Sequence, residues 1–249
     1  MLKLLEEKFF LLNRFEFFMI TIVSFAFLYF GFSIAAYFLF TKKDFFKRYQ
    51  TKAFRPNQIQ TEIKRSLISV LMFGVLSFAM YEGLHRGFYK IKFDFDVVTF
   101  LVESFALFLW NEIYFYAVHR AFHIKSLYKY HADHHYSHVP SPFSAYSFHW
   151  SEGVLLGAVM PVIMCFHDFQ VMSLMSLPVM SILMNVLGHS NVDFFPDKDM
   201  GHILSFSKRH SLHHKIPHAN FGFFLPYFDQ IFKTDGADVS PKSGSNHGS

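Results

Sequence analysis

The chain has 249 residues, 52% of them hydrophobic and 36 of them Phe, and its mean hydropathy is positive; this composition excludes an ordinary soluble protein and predicts an integral membrane protein. The net charge is only +4, and the Lys and Arg residues lie beside apolar segments, so anionic lipid headgroups are expected as ionic partners and nucleic acid is not. The single cysteine, Cys165, excludes an intramolecular disulfide and does not indicate a thiolate metal site.

Long apolar segments predict the membrane helices in chain order. The first is predicted over Phe15–Phe40, which is too long for the apolar region of a signal peptide. The second and third are predicted over Ser66–Leu84 and Val97–Val118. Two further apolar runs, Gly153–Phe166 and Phe169–Leu187, predict a kinked or re-entrant hairpin, because the first has only 14 residues and each run contains a proline.

The charge of the loop between the first two helices predicts the orientation in the membrane. Residues 41–65 include eight Lys or Arg residues and two acidic residues. The positive-inside rule therefore predicts a cytoplasmic loop and an N-terminus on the other side. Two crossings return the chain to the cytoplasmic face at His119, and the hairpin returns it there at His189. The topology predicts that the histidine-rich segments gather at this face.

Eight of the sixteen histidines form three short motifs, here called the first, second and third box. Their spacings of three and four residues place imidazoles on one face of a helix. We expect residues i and i+3 to bind one metal ion while i+4, turned by about 100° from i+3, reaches a second. Eight imidazoles are too many for one ion, which predicts a two-metal centre. The boxes are His119 and His123; His131, His134 and His135; and His210, His213 and His214.

Other classes of metal protein are weighed against this interpretation. Imidazole suits iron, zinc and copper, so the spacing leaves the ion open. An affinity tag or a surface metal-scavenging tract is disfavoured by three separate motifs in apolar sequence. A zinc hydrolase in the membrane is an alternative enzyme, although it usually has three protein ligands and a nearby general base. A metal transporter or sensor would distribute ionisable groups across the membrane, whereas these histidines gather at one boundary.

Three further residues are candidates for the centre. Glu112 lies seven residues before His119 on the same helical face and is expected to accept a hydrogen bond from an imidazole; a helix-to-helix hydrogen bond, with Asn111 taking part, is the alternative. His189 ends an apolar span and is expected to be a ninth imidazole ligand, with a polar cap at the membrane surface as the alternative. For His149 the sequence leaves open a ligand, a hydrogen-bond partner of a ligand or an interfacial residue.

Several nearby polar residues are expected to have lesser roles. His138 and His218 each follow a box, and the sequence leaves open whether they line the centre or face solvent. Asp133 is expected to make a surface contact or a contact with a neighbouring helix. The polar residues from Thr234 onward are predicted to be disordered, and His247 is excluded from the centre.

These motifs resemble the sterol desaturase and fatty acid hydroxylase superfamily of membrane-bound di-metal oxygenases. The segment Glu112–His123 is similar to its opening motif, with Glu where Asp is commoner. The segment His131–Glu152 is similar to its His-x-x-His-His and later His-x-x-Glu, which implies a catalytic role for Glu152 and His149. The third box, Asn220-Phe-Gly222 and the segment Phe228–Thr234 are similar to its closing motifs, with Lys233 where glycine is usual.

The resemblance covers about residues 97–234 and implies a catalytic domain there, with generic anchor helices in residues 1–96 and a disordered tail in residues 235–249. It implies an all-α bundle of about four or five membrane helices under a cytoplasmic, histidine-rich di-metal cap. It also implies two Fe ions, which Zn can replace in purified protein, and O₂-dependent hydroxylation or desaturation of a lipid such as a fatty acyl lipid or sterol.

Two details refine the resemblance. His189 and Asp193 stand where fatty acid hydroxylases of the superfamily often have a His-x-x-x-His pair, so the chain resembles the sterol-desaturase branch more closely. The chain has no His-Pro-Gly-Gly segment of a fused cytochrome b5 domain. We therefore expect a separate electron donor of the ferredoxin or cytochrome b5 type, with its reductase.

Overall fold

The computed structural model describes residues 2–43 and 46–236, and the predicted tail lies outside these ranges from residue 237 onward, together with His247. Within the described residues the chain is mostly helical, as predicted. In the described part of the chain, four helices are long and apolar enough to cross a membrane, one of them extended by a π-helical turn over Tyr37–Lys42. These helices are α2, Arg14–Ala36; α3, Gln58–His85; α4, Val97–Phe122; and α7, Val171–Gly188.

Shorter elements connect the long helices. The remaining α-helices are α1, Leu2–Leu11; α5, Trp150–Gly157; α6, Val159–Ile163; α8, Phe206–Lys215; and α9, Tyr227–Phe232. Two short strands, β1 (Ile91–Lys92) and β2 (Phe169–Gln170), pair in parallel. Single 3₁₀ turns occupy Tyr128–Tyr130, Pro142–Ser144 and Ile203–Ser205.

Polar residues at the starts of α2 and α4 fix where these apolar helices begin. The Asn13 side chain accepts from the Glu16 N–H at 3.0 Å, and the Glu16 carboxylate accepts from the Asn13 N–H at 2.9 Å. Asp96 caps α4 by accepting from the Thr99 N–H at 2.7 Å. Each cap satisfies backbone donors that have no partner inside the helix.

Helices α2, α4 and α7 run towards one end of the bundle and α3 runs the opposite way, which defines two ends. Helices α4 and α7 both finish at the end that carries the histidines, here called the histidine end, and α3 begins there. Arg14 and Glu82 form an ion pair of 2.6 Å at the other end, where α2 begins and α3 finishes. Helix α3 starts earlier than the predicted Ser66, and its first turns lie against the segment that follows the second box.

The two apolar runs after the second box form the expected hairpin. Helices α5 and α6 lead away from the histidine end, β2 then pairs with β1 at the far end, and α7 leads back. The helix is interrupted between α5 and α6, because the nearby Pro161 has no backbone N–H to donate. Two α4 side chains satisfy carbonyls at the break: Trp110 Nε1 donates to Val159 O at 2.8 Å and the Tyr114 hydroxyl to Leu155 O at 2.7 Å. Such partners are required where backbone groups face lipid.

The second box differs from the helix that its spacing predicts. Residues 131–136 form consecutive turns, in which the His134 and His135 N–H groups both donate to His131 O at 3.0 and 3.2 Å. The preceding segment, residues 124–130, also consists of turns and the 3₁₀ turn. The imidazoles of this box are therefore not held by a regular helical backbone.

Buried apolar side chains fill the bundle at two levels. The cluster near the histidine end includes Phe148, whose ring centroid lies 5.1 Å from that of His134. The far-end cluster includes Leu107 and Leu177. The cluster near the histidine end therefore packs apolar side chains directly against the histidines.

Candidate metal centre

Nine histidine side chains converge at the histidine end and form two adjoining groups. In each group the facing ring nitrogens lie within 4.8 Å of one another. The first group, here called the pentad, contains His119, His123, His131, His135 and His213. The second group, here called the tetrad, contains His134, His189, His210 and His214. All eight box histidines and His189 are thus brought together, as the sequence predicted.

The Nε2 atoms within each group face one another at short range. Eight of the nine rings are buried, and only His123 is half-buried. The short Nε2–Nε2 distances are 3.1 Å for His119–His131, 3.1 Å for His135–His213, 3.2 Å for His210–His214 and 2.8 Å for His189–His210.

Backbone carbonyl groups fix the tautomers of three rings. The Nδ1 atoms of His119, His213 and His189 lie 2.7 Å from the carbonyl oxygens of Phe221, Ala219 and Asn185, respectively. A carbonyl oxygen can only accept, so each Nδ1 carries the hydrogen and each Nε2 carries a lone pair. His119 and His213 therefore direct two lone pairs into the pentad. Converging lone pairs are favourable around a cation, so the donor set fits a metal ion.

Burial keeps these imidazoles uncharged. Loss of hydration lowers the pKa of His189 to about 3 and lowers the pKa values of His210, His213 and His214 well below the usual 6.5. Neutral imidazole is the form that binds metal ions. The centre is thus a buried cluster of neutral nitrogen donors.

The boxes divide their histidines between the groups in a pattern that differs from the prediction. In the second box, His131 and His135 belong to the pentad and His134 to the tetrad. In the third box, His210 and His214 belong to the tetrad and His213 to the pentad. The expectation that i and i+3 share an ion is wrong. Residues i and i+4 differ by about 40° around a helix, whereas i+3 points about 60° to the other side.

Glu152 is the carboxylate that contacts a histidine of the centre. Its Oε1 atom lies 2.7 Å from His131 Nδ1, and both side chains are buried. This contact fits the expectation that Glu152 belongs to the site. A carboxylate in this position orients the ring and makes its other nitrogen more basic.

Glu112 does not play the predicted part. Its Oε2 atom accepts from the backbone N–H groups of Phe224 at 3.0 Å and Leu225 at 2.8 Å. Seven residues correspond to about 10 Å along a helix axis, so Glu112 lies well below His119 and faces the segment that follows the third box. Its role is corrected from an acceptor for imidazole to an anchor for this segment.

His149 is likewise corrected, because it caps a helix. Its Nδ1 atom lies 2.7 Å from the Ser151 hydroxyl and accepts from the Ser151 N–H at 3.3 Å, and its ring lies beside Tyr130. The ring is bound at the start of α5 and belongs to neither histidine group.

Three other candidates also lie outside the two groups. His138 and His218 are exposed. Asp193 forms an ion pair with Lys208 at 3.3 Å.

A loop outside the predicted catalytic domain ties the histidine-bearing segments together. Gln50 Nε2 donates to His138 O at 2.9 Å and to Ser211 O at 2.8 Å. Its backbone N–H donates to Asn191 Oδ1 at 3.0 Å. Gln50 thus joins the segment after the second box, the third box and the segment that follows α7. The sequence gives no signal for this contact, because Gln50 lies in a segment distinguished only by its positive charge.

Asp229 supports the centre from the C-terminal side. Its carboxylate accepts from the N–H groups of Phe221 at 2.9 Å and Gly222 at 2.8 Å, and from the Thr234 hydroxyl at 2.7 Å. Phe221 is the residue whose carbonyl fixes the His119 tautomer. The closing motif quoted above contains Asp229, and that motif is the signal from which its importance could have been found.

The sequence pattern of the family described as fatty acid hydroxylase matches residues 104–234. The chain belongs to this family. The matched range contains all nine histidines of the centre and Glu152.

The chain is similar to proteins whose names refer to sterols or to very-long-chain aldehydes. Human lathosterol oxidase is 25% identical over 206 residues, which cover 78% of this chain and 66% of that protein. A very-long-chain aldehyde decarbonylase of Oryza sativa subsp. indica is 34% identical over 132 residues, 49% of this chain and 21% of that protein. A Delta(7)-sterol 5(6)-desaturase of Aspergillus fumigatus is 35% identical over 104 residues, 40% of this chain and 32% of that protein. No solved structure gives a significant match.

The chain spans just under two thirds of the human protein and a smaller share of the other two. The four apolar helices suit a membrane protein, and the two histidine groups are able to bind metal.

Proposed function

We propose that this protein is a membrane-bound di-iron oxidoreductase that uses O₂ and external electrons to modify a lipid, such as a fatty acyl lipid or a sterol. We favour hydroxylation of a C–H bond over desaturation, because nothing in the sequence indicates a device that prevents return of oxygen to the substrate. The observation that carries the proposal is the pair of adjoining imidazole groups with converging Nε2 atoms.

The pentad would hold one iron and the tetrad the other. Nitrogen donors without thiolates suit iron, and neutral imidazoles allow a divalent ion to be held in a buried place. When bound, the two ions would supply O₂ activation and the removal of hydrogen from an unactivated carbon.

The residues of the chain orient the donors and exclude water. Carbonyl oxygens behind His119, His189 and His213 and the carboxylate of Glu152 behind His131 hold each ring with its coordinating nitrogen inward. Phenylalanine rings pack against this shell. Phe221 lies against His123 with centroids 4.9 Å apart, and Phe223 against His210 at 4.8 Å. The apolar surroundings keep water from the reacting carbon.

The position of the centre favours a substrate that comes from the bilayer. The nine imidazoles lie where apolar helices α4 and α7 end, so an acyl chain or sterol in the membrane lies close to them. His123 is the half-buried edge of the centre and marks the side from which it is reached.

We further propose that the centre faces the cytoplasm and receives electrons from a separate ferredoxin-type or cytochrome b5-type donor. Gln50 binds the carbonyls of His138 and Ser211, so the strongly basic loop lies at the same end as the centre. The positive-inside rule assigns such a loop to the cytoplasmic side, where soluble reductases are available.

The decisive experiment measures metal and reaction together. Purified protein should contain about two Fe per chain and consume O₂ only when a reductase and donor protein are added. With ¹⁸O₂, a membrane lipid should gain one labelled oxygen; loss of two hydrogens without label would indicate desaturation. Lipids from cells with and without the gene, compared by mass spectrometry, identify the substrate. Anaerobic cleavage of a lipid ester or phosphate by a zinc-containing preparation would contradict the proposal.

A further inference from the structure

Helix α3 presents four polar side chains on one face, and all four bind the segment that contains and follows the second box. They occupy positions i, i+4, i+7 and i+8, which fall within about 100° around a helix. Gln58, Glu62 and Ser66 are buried, with exposed fractions of 2%, 0% and 0%. We call Gln58, Glu62, Arg65 and Ser66 the α3 polar face.

Each member of the α3 polar face holds a different point of residues 133–143. Gln58 Nε2 donates to Val139 O at 2.8 Å. Arg65 donates to Asp133 O at 2.8 Å and binds its carboxylate at 2.6 Å, which agrees with the neighbouring-helix contact expected of Asp133. Ser66 Oγ donates to Phe143 O at 3.2 Å. The contacts follow the whole length of the segment.

Glu62 is the centre of this face. Its Oε1 accepts from the Ser137 hydroxyl at 2.7 Å and from Gln58 Nε2 at 2.7 Å, and its Oε2 accepts from the Ser141 hydroxyl. A fully buried carboxylate is costly unless donors surround it, and losing one partner leaves the others unsatisfied. Ser137 and Ser141 are therefore held in the one position relative to α3 at which both hydroxyls donate to Glu62.

The second box depends on this position because it lacks a helical backbone. Ser137 follows His135 by two residues, and its N–H is bound to His134 O at 3.3 Å. Residues 131–136 are turns, so their imidazoles are placed by external anchors more than by a helical ladder. Among the buried members of the α3 polar face, Glu62 binds closest in sequence to His134 and His135, through Ser137, and these two histidines belong to different histidine groups.

We infer that Glu62 is a positioning residue for the metal centre, acting through Ser137 and Ser141 on His134 and His135. The inference rests on the proposed metal-binding function. It also assigns to residues 58–66, which lie outside the range that matches the family, a role beyond anchoring the chain in the membrane.

The test compares the metal affinity of Glu62 variants with that of a matched buried carboxylate. Glu103 is 6% exposed on α4 at the far end, where it accepts from the Gln170 N–H at 2.9 Å and binds His167 at 2.9 Å. Glu62→Leu should lower the apparent affinity for iron 10–100-fold, the range found for groups that orient ligands. Glu62→Gln, which keeps one accepting oxygen, should lose less. Glu103→Leu should lower thermal stability without changing iron affinity.

Two further readouts separate positioning from general stability. The visible spectrum of the Co²⁺-loaded protein should change in Glu62→Leu and not in Glu103→Leu, because it reports ligand geometry. If Glu62→Leu fails to fold, the Ser137→Ala/Ser141→Ala double variant removes the link while keeping the carboxylate, and it should lose affinity likewise. Equal iron affinity in folded Glu62→Leu and Glu103→Leu overturns the inference. Lack of iron in the wild-type protein would instead overturn the proposed function.

Discussion

His131 Nδ1 and Glu152 Oε1 lie 2.7 Å apart in a fully buried hydrogen bond that joins the second box to the first turn of α5. The contact links the histidine cluster to the helix that begins the hairpin. The position of one pentad histidine therefore depends on how α5 starts.

Removal of the Glu152 carboxylate should weaken metal binding. Glu152→Ala leaves the His131 Nδ1–H buried without an acceptor, and we expect iron affinity to fall 10–100-fold. Glu152→Gln keeps an accepting oxygen and should lose about tenfold or less. The measurement is iron content after dialysis against graded chelator. His149→Ala, three residues earlier, is the matched control: it should cost about 1 kcal/mol of stability as a lost helix cap and leave iron content unchanged.

Single ligand changes should distinguish the two histidine groups. His213→Ala removes a pentad donor and His210→Ala a tetrad donor, and each should lower iron from about two to about one per chain and abolish turnover. Replacement of His119, His123, His134, His135 or His214 should also abolish activity while the protein still inserts in the membrane. Exposed His138 is the control, and His138→Ala should retain both ions. Normal turnover in the His213 and His210 variants would contradict the two-metal centre.

The orientation in the membrane is tested by thiol labelling. In a Cys165→Ala background, a cysteine replacing exposed Thr51 lies in the basic loop, and one replacing exposed Asp94 lies at the far end. An impermeant reagent applied to intact cells should label the Asp94→Cys protein and not the Thr51→Cys protein. The reverse pattern would place the centre on the outer side.

Acid should destabilise the metal-free protein. The pKa of His189 is lowered to about 3 in the folded state, so the unfolded chain binds more protons than the folded chain as the pH falls below 6.5. From pH 6.5 to pH 5 this histidine alone should remove about 1.6 kcal/mol from the free energy of unfolding. The measurement is the thermal midpoint of chelator-treated protein across this range. His189→Gln should make the dependence shallower by up to one proton, because the other buried histidines still contribute, and an unchanged slope would show that this ring is not buried in neutral form.

Apolar length and histidine spacing predicted the helices that cross the bundle and the gathering of nine imidazoles. These features follow from properties carried by the local sequence: hydrophobic length, proline position and the direction of a helix. The division of His210, His213 and His214 between two groups follows from helix geometry, which pairs i with i+4, so the expected pairing of i with i+3 was a misreading of that geometry. The same division in the second box could not be derived from helix geometry, because residues 131–136 form turns.

Partners separated widely in sequence were missed for the same reason. Gln50 binds Ser211, and Glu62 binds Ser141, through single polar contacts that leave no periodic pattern. Glu112 was expected to face an imidazole because it lies on the same helical face as His119. A shared face does not show which part of a distant loop packs at that level of the helix, and here the loop that contains Phe224 and Leu225 does. His149 was expected from its motif to join the site, but its capping bond to Ser151 holds it at the helix start.

Three helices bring their carboxyl ends to the same place. His119 lies in the last turn of α4, His189 follows the last residue of α7, and His213 and His214 lie in the last turn of α8. The aligned peptide dipoles of a helix leave about half a negative charge at its C-terminus. Cations bound by the uncharged imidazoles here would therefore be stabilised by backbone partial charges. No side-chain substitution can remove that contribution while the three helices remain in place.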